Sequence, residues 1–329
     1  MRLGLLDPLD EGLLRELRAR LPARWELACA ASARTDDQAA AARSADAVLV
    51  IWSAVSRPVL EASASLRLVQ KLGVGVDKVD LECCRERGVA VARLAGVNAP
   101  AVAEHVVMLV LASLRRLASS DRRVRAGEWF KEEARAFQRQ LRAKTVGLVG
   151  LGHVGTEVAK RLRPFEVLLL YTDLRRAPRA TERRLGLRFV GLDELLASSD
   201  VVSLHVPYSP SSANLLSAER IAQLREGAVV VNCARGGLVD EDALADALAS
   251  GRLAGAGLDT FAGEPVVSER LRALDTVVLT PHCAGAVADN FPFVVERALA
   301  NVSSYLASGE LPAEDRIFVP GAEHPGLGG

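Results

Sequence analysis

The sequence predicts an α/β protein made of two domains, each a doubly wound parallel sheet. Three observations predict it. The chain has 329 residues, enough for two domains at roughly 150 residues each. Short apolar runs alternate with helical patterns in both halves, as parallel sheets with crossover helices require. In the second half, the residues able to do chemistry fall just past the apolar runs, at the carboxyl ends of the expected strands, where open α/β sheets bind ligands.

In the first ~97 residues, Arg2–Leu6, Val48–Ile51, Leu66–Leu72 and Val89–Ala92 read as strands, and Leu13–Leu21 as an amphipathic helix ended by Pro22. Asn98–Leu117 reads as one long helix with Asn98 as N-cap and Pro100 in its first turn. Its apolar middle predicts burial between domains or between subunits. The charged stretch Arg115–Phe137 is expected on the surface. From Lys144 the rhythm restarts, with Val146–Val149, Val167–Leu170, Val201–Val206, Ala228–Val231, Ala256–Leu258 and Val277–Leu279 as six strands. Helices are expected over Glu157–Leu162, Ala218–Leu224, Glu241–Ala249 and Pro292–Ala307, before a Pro/Gly tail, PGAEHPGLGG, expected to be disordered.

Composition narrows the function. Net charge is zero and aromatic residues are 4%, which argues against nucleic acid and anionic membranes as partners. Five cysteines without CxxC spacing suit reduced thiols in the cytoplasm. The N-terminal MRLGLLDPLD does not read as a signal peptide. The longest apolar run, Val106 to Leu114, is far below the ~20 residues of a membrane helix.

Gly150-Leu-Gly152-His153-Val154-Gly155 follows a strand and opens a helix, the setting in which GxGxxG cradles a dinucleotide. Gly150 allows the turn, Gly152 the approach of a pyrophosphate, and Gly155 close helix–strand packing. Asp173 ends the next strand, 18 residues after Gly155, as the ribose-binding acid of a Rossmann domain does. An acid there favours NAD over NADP, a preference that Arg175 and Arg176 could soften. Arg235, just past a strand and followed by two glycines, offers a planar fork for a carboxylate. His282, after Thr280-Pro281, is the candidate proton donor, and Glu264 the carboxylate that fixes its tautomer. His105, His205 and His324 lack metal-ligand spacing with cysteine or another histidine, so no metal is expected.

Taken together these segments resemble the D-isomer-specific 2-hydroxyacid dehydrogenase family. The likeness runs from about Leu66 to Gly285, through Gly73-Val74-Gly75-Val-Asp77, Asn98 with Val102-Ala-Glu104, Arg125-Ala-Gly127-Glu-Trp129, the glycine loop with Asp173, Val206-Pro207, Asn232 to Asp240, Asp259 to Pro265 and Thr280 to Gly285. The resemblance implies hydride transfer between NAD and C2 of a small 2-keto or D-2-hydroxy acid of the glyoxylate, hydroxypyruvate or phosphoglycerate type. Arg235 would bind the carboxylate and polarise the carbonyl, with His282 the acid/base and Glu264 its partner. The glycine loop with His153 and Val154, Asp173, Val206, Pro207, Cys233, Ala234 and Asp259 would bind the cofactor. Ser53, Val74 and Gly75 would contact substrate. It also implies a smaller, discontinuous flavodoxin-like substrate domain, residues 1–97 plus 286–329, around a Rossmann domain at 98–285, and a homodimer.

Departures from the family pattern are His153, where arginine is frequent, and Cys283, where an aliphatic residue is common. Glu264 disfavours formate, for which relatives carry glutamine, and Val74 disfavours phosphite, for which they carry lysine. No appended regulatory domain is expected. Two other readings stay open: an NAD(H)-sensing corepressor-like binding protein, and a biosynthetic dehydrogenase for a phosphonate- or phosphate-bearing acid. Arg57, Lys71, Lys78 and Arg93 are candidate cations for the latter.

Overall fold

A computed structural model of the chain describes residues 1–321; most of the Pro/Gly tail, including His324, lies outside them. The chain divides into two compact units, Met1–Asn98 joined by the chain from Ala288 onward, and Ala99–Val287. The described strands are β1 (Arg2–Leu5), β2 (Glu26–Cys29), β3 (Ala47–Val50), β4 (Leu68–Lys71), β5 (Ala90–Ala92), β6 (Thr145–Val149), β7 (Leu168–Thr172), β8 (Leu187–Phe189), β9 (Val201–Leu204), β10 (Val229–Asn232), β11 (Gly255–Leu258), β12 (Val277–Leu279) and β13 (Arg316–Phe318).

The first unit is a six-stranded sheet in the order β13-β5-β4-β3-β1-β2. β1 to β5 are parallel, and β13 pairs antiparallel with β5. β3 is buried along its whole length, so it reads as a continuous apolar run. β2 escaped the sequence reading because it is an edge strand with a largely exposed ELAC segment and no alternation. The helix Glu11–Arg20 begins where Asp10 caps it, the carboxylate accepting from Gly12 N at 2.8 Å and Leu13 N at 3.1 Å. The last helix, Phe291–Ser308, packs its buried face (Val294, Val295, Ala298, Leu299, Val302) on the same core as Leu3, Leu49 and Leu68.

The second unit is a seven-stranded, all-parallel sheet in the order β12-β11-β10-β9-β6-β7-β8. The order reverses between β6 and β9, so the crevice beside them is the switch point of a doubly wound sheet. The long helix spans Ala99–Arg115 and stops at Arg116, whose φ of 47° is left-handed; a separate helix, Leu117–Arg125, follows. The single helix to Leu117 expected from the apolar pattern is therefore two. Its burial also has another cause than a domain or subunit boundary: Val102, Val106, Leu109 and Val110 pack within this unit against β10, β11 and the helix His153–Leu162. Gly257 of β11 makes this possible, since a Cβ there would lie 2.8 Å from Leu109 Cβ. Helices Leu117–Arg125 and Lys131–Phe137 have no buried residue, as the charge density of that stretch implies. No described helix is long and apolar enough to cross a membrane.

One buried carboxylate ties the C-terminal segment to the first unit. Asp315, fully buried, accepts from Arg297 Nη2 at 2.7 Å and Nε at 3.1 Å, from Asn301 Nδ2 at 3.0 Å and from Ala95 N at 2.7 Å. Replacing it takes the acceptor from two buried amides, Ala95 N and Asn301 Nδ2, and removes two bonds from Arg297, which keeps Ala95 O at 3.0 Å. Asp315→Ala is expected to cost about 2–3 kcal/mol, from the two buried donors left unsatisfied, read as a lower urea midpoint; an unchanged midpoint would contradict this role for the bonds.

Candidate active site

β6 runs into Gly150, whose φ of +97° is open to glycine but strained for other residues, and a Cβ there would lie 2.7 Å from His205 O. Helix His153–Leu162 starts immediately after Gly152, with no side-chain cap on its first turn. Its N–H groups and dipole are therefore left for an anion. A Cβ at Gly152 would meet nothing within 4 Å, whereas one at Gly155 would lie 2.3 Å from Gly150 O. Gly152 thus opens outward and Gly155 closes inward, a cradle that fits a pyrophosphate. Asp173, just past β7, is held at this turn: Oδ2 accepts from Leu151 N at 2.7 Å and Oδ1 from Arg175 N at 3.3 Å. His153 is exposed at the helix start, and Val154 is partly buried.

At the other end of the sheet, β11 and β12 end in two loops joined by Asp259. Its carboxylate is fully buried. Oδ1 accepts from the Thr280 hydroxyl at 2.6 Å and Cys283 N at 2.9 Å, and Oδ2 from Ala284 N at 2.9 Å. Its carbonyl accepts from His282 N at 2.8 Å. Held on both sides, His282 sits at φ +51°, a left-handed conformation that a non-glycine residue keeps only when its surroundings impose it. The half-exposed ring is turned so that Nδ1 lies 2.8 Å from Glu264 Oε2. Glu264 Oε1 accepts from Phe261 N at 3.0 Å, so both carboxylate oxygens are engaged and the ring has a fixed partner.

Arg235 leaves β10 in an extended conformation, φ −147°. Asn232 shapes the turn before it, donating from Nδ2 to Arg235 O at 2.8 Å and accepting from Ala234 N at 3.0 Å. Arg235 Nη1 donates to Ala234 O at 2.7 Å. The glycine that follows sets this loop against the Glu264 loop: a Cβ at Gly236 would lie 1.8 Å from Phe261 C. Cys233 and Ala234, after β10, and Val206 and Pro207, after β9, occupy the neighbouring strand ends. Burial raises the thiol pKa of both Cys233 and Cys283, with the Asp259 charge adding to the rise, which favours the protonated thiol.

In the first unit, Ser53 N donates to Asp7 Oδ1 at 2.8 Å, while its buried hydroxyl has no partner. Lys71 Nζ bonds Ile51 O, and Lys78 Nζ reaches Trp52 O at 3.4 Å, both in the loop before Ser53. Arg57 pairs with Glu86 at 2.7 Å, and Arg93 Nε donates to Glu314 O at 3.4 Å. Val74 and Gly75 follow β4 and are partly buried.

Two supporting residues, His105 and His205, carried no signal of these roles in the sequence. His105, on the apolar helix, meets Thr280 Oγ1 at 2.9 Å and lies 3.6 Å from Asp259 Oδ1. Ligand atoms of His105, Asp259 and Cys283 fall within 4.8 Å of one another, a grouping no spacing rule displays, since the three are far apart in the chain. His205 is the second. Its backbone is the floor under Gly150, and burial of its ring pushes the pKa down to about 4, so it is neutral at pH 7.

Known proteins are similar to this chain in sequence and fold. Residues 107–284 match the family described as D-isomer specific 2-hydroxyacid dehydrogenase, NAD binding domain. A D-3-phosphoglycerate dehydrogenase of Archaeoglobus fulgidus is 36% identical over 273 residues, 82% of this chain and 50% of that one, so this chain spans about half its length. A glyoxylate reductase of Thermofilum pendens is 38% identical over 274 residues, covering 82% of this chain and 80% of the relative. A crystal structure of a Thermus thermophilus protein superimposes with a TM-score of 0.85 at 33% identity, covering 97% of this chain and all of the other. With a glycine cradle, a strand-end acid and a carboxylate-paired histidine placed on one parallel sheet, the chain belongs to the D-isomer specific 2-hydroxyacid dehydrogenase family.

Proposed function

We propose that the protein reduces a small 2-keto acid to the D-2-hydroxy acid, or runs the reverse reaction, with NAD(H) as cofactor. The observation that carries this reading is the 2.8 Å contact between His282 Nδ1 and Glu264, at the carboxyl ends of a sheet whose β6 turn fits a dinucleotide. NAD(H), when bound, would exchange a hydride with C2. The protein's own residues do the rest. Gly150, Gly152, His153, Val154 and Gly155 would hold the pyrophosphate, Asp173 the adenosine ribose, and Val206, Pro207, Cys233, Ala234 and Asp259 the remainder of the cofactor.

Arg235 binds the substrate carboxylate with its planar fork and draws charge onto the carbonyl oxygen. With Nδ1 committed to Glu264, His282 delivers its proton from Nε2 to that oxygen, so the carbonyl is reduced without leaving an alkoxide in the site. Ser53, Val74 and Gly75 are the further residues that the family resemblance assigns to substrate binding. Glyoxylate, hydroxypyruvate and the phosphoglycerate type are the candidate substrates. We read it as a cytoplasmic protein that takes no nucleic acid, which its zero net charge and five free cysteines support, and, on the family resemblance alone, as a homodimer.

His282→Ala and Arg235→Ala are each expected to lower turnover of glyoxylate or hydroxypyruvate by about 10²–10⁴-fold while NADH still binds, checked by steady-state rates beside a fluorescence titration. Near-normal rates in either variant would contradict the assignment. Gly236→Ala is expected to cost about 1–3 kcal/mol, because a methyl group has no room against the Phe261 backbone; a wild-type melting curve would contradict that packing.

A further inference from the structure

Arg176 lies three residues past Asp173, in the segment where the ribose of a bound dinucleotide would be read. A ribose 2′-phosphate is a dianion that a free arginine fork accepts readily. In this chain the fork is engaged elsewhere. Arg176 Nε donates to Glu182 Oε1 at 2.8 Å and Nη2 to Oε2 at 3.0 Å, a bidentate pair. Its Cζ also sits 5.5 Å from the centroid of Phe189, over the ring.

An exposed ion pair alone would open easily, but this one rests on a buried platform. Glu182 comes from helix Arg179–Leu185, and its side chain is only 10% exposed. The buried Tyr171 of β7 donates its hydroxyl to Glu182 Oε1 at 2.8 Å and accepts from Ala177 N at 2.9 Å. Its ring meets Phe189 edge-on at 5.2 Å. The Arg176 guanidinium first, and then the Tyr171 hydroxyl, hold the Glu182 carboxyl down at about 2, so it stays ionised at neutral pH and the pair stays charged.

On the reading that a dinucleotide binds over the Gly150–Gly155 turn, we infer that Glu182 is a specificity-determining residue for the cofactor. It folds Arg176 back onto Tyr171 and Phe189, so no arginine from this position meets a 2′-phosphate. Asp173, held by Leu151 N and Arg175 N, remains the carboxylate that reads the ribose. Selection for NAD over NADP in this chain therefore has two parts, a carboxylate that repels the extra phosphate and a second carboxylate that confines a cation able to welcome it.

The test is direct binding of NADH and NADPH to the purified full-length protein, followed by nucleotide fluorescence. Glu182→Gln keeps an acceptor for Tyr171 but removes the charge, and Glu182→Ala removes the acceptor; melting curves establish that each is folded. Losing a charge-assisted pair should lower the ratio of Kd(NADPH) to Kd(NADH) about tenfold. Glu182→Gln combined with Arg176→Ala should restore the wild-type ratio, whereas combined with Arg175→Ala it should keep the gain. Arg176→Ala alone should change the ratio less than about twofold.

An unchanged ratio in both folded Glu182 variants overturns the inference, as does a gain that persists without Arg176. Failure of the wild-type protein to bind either nucleotide would overturn the dinucleotide reading itself, and this inference with it.

Discussion

The buried carboxylate of Asp259 is the constraint on which the site depends. It takes one hydroxyl and two backbone N–H groups from the 280–284 segment, and its own carbonyl takes the N–H of His282. Hydrogen bonds to an ionised group are worth roughly 1.5–3 kcal/mol each, enough to impose a left-handed conformation on a histidine. Glu264 belongs to the loop that Asp259 begins, so one segment both holds the histidine backbone and supplies the partner of its ring. Neither the tautomer nor the direction of Nε2 depends on a mobile side chain reaching across from elsewhere.

Glycine lets the remaining parts come close enough to matter. At Gly155 the helix N-terminus approaches the β6 turn, at Gly236 the arginine loop lies on the Phe261 backbone, and at Gly257 the long apolar helix settles onto β11. In each case a methyl group would sit within 3 Å of a neighbour, so the approach is set by an absent side chain. The same logic ties stability to function: the contacts that close the second unit are those that align its strand ends.

Much of this was legible before any coordinates. Gly150 to Gly155, Asp173, Arg235, Asp259, Glu264 and His282 stand out because each follows an apolar run at the spacing that parallel strands impose. What stayed hidden was set by tertiary contact. β2, β8 and β13 are short or exposed edge strands, whose residues need not alternate. The break at Arg116 cuts an apolar pattern that runs through it without a glycine or proline to mark the stop. Thr280 and His105 support Asp259 from 21 and 154 positions away, one as a plain threonine after a strand and the other as a histidine in an apolar helix. Arg176 shows the reverse: sequence placed it as a cation near the ribose, and only the structure reveals that Glu182 has engaged it.

The most direct test of the central claim is the oxidation of NADH by the purified protein across a panel of 2-keto acids including glyoxylate, hydroxypyruvate and its 3-phosphate, with the chirality of each chiral product determined. The account predicts turnover of at least one of them, with D-2-hydroxy acid as the product wherever the product is chiral. Tight NADH binding without oxidation by any member of the panel, or formation of the L-isomer, would contradict it.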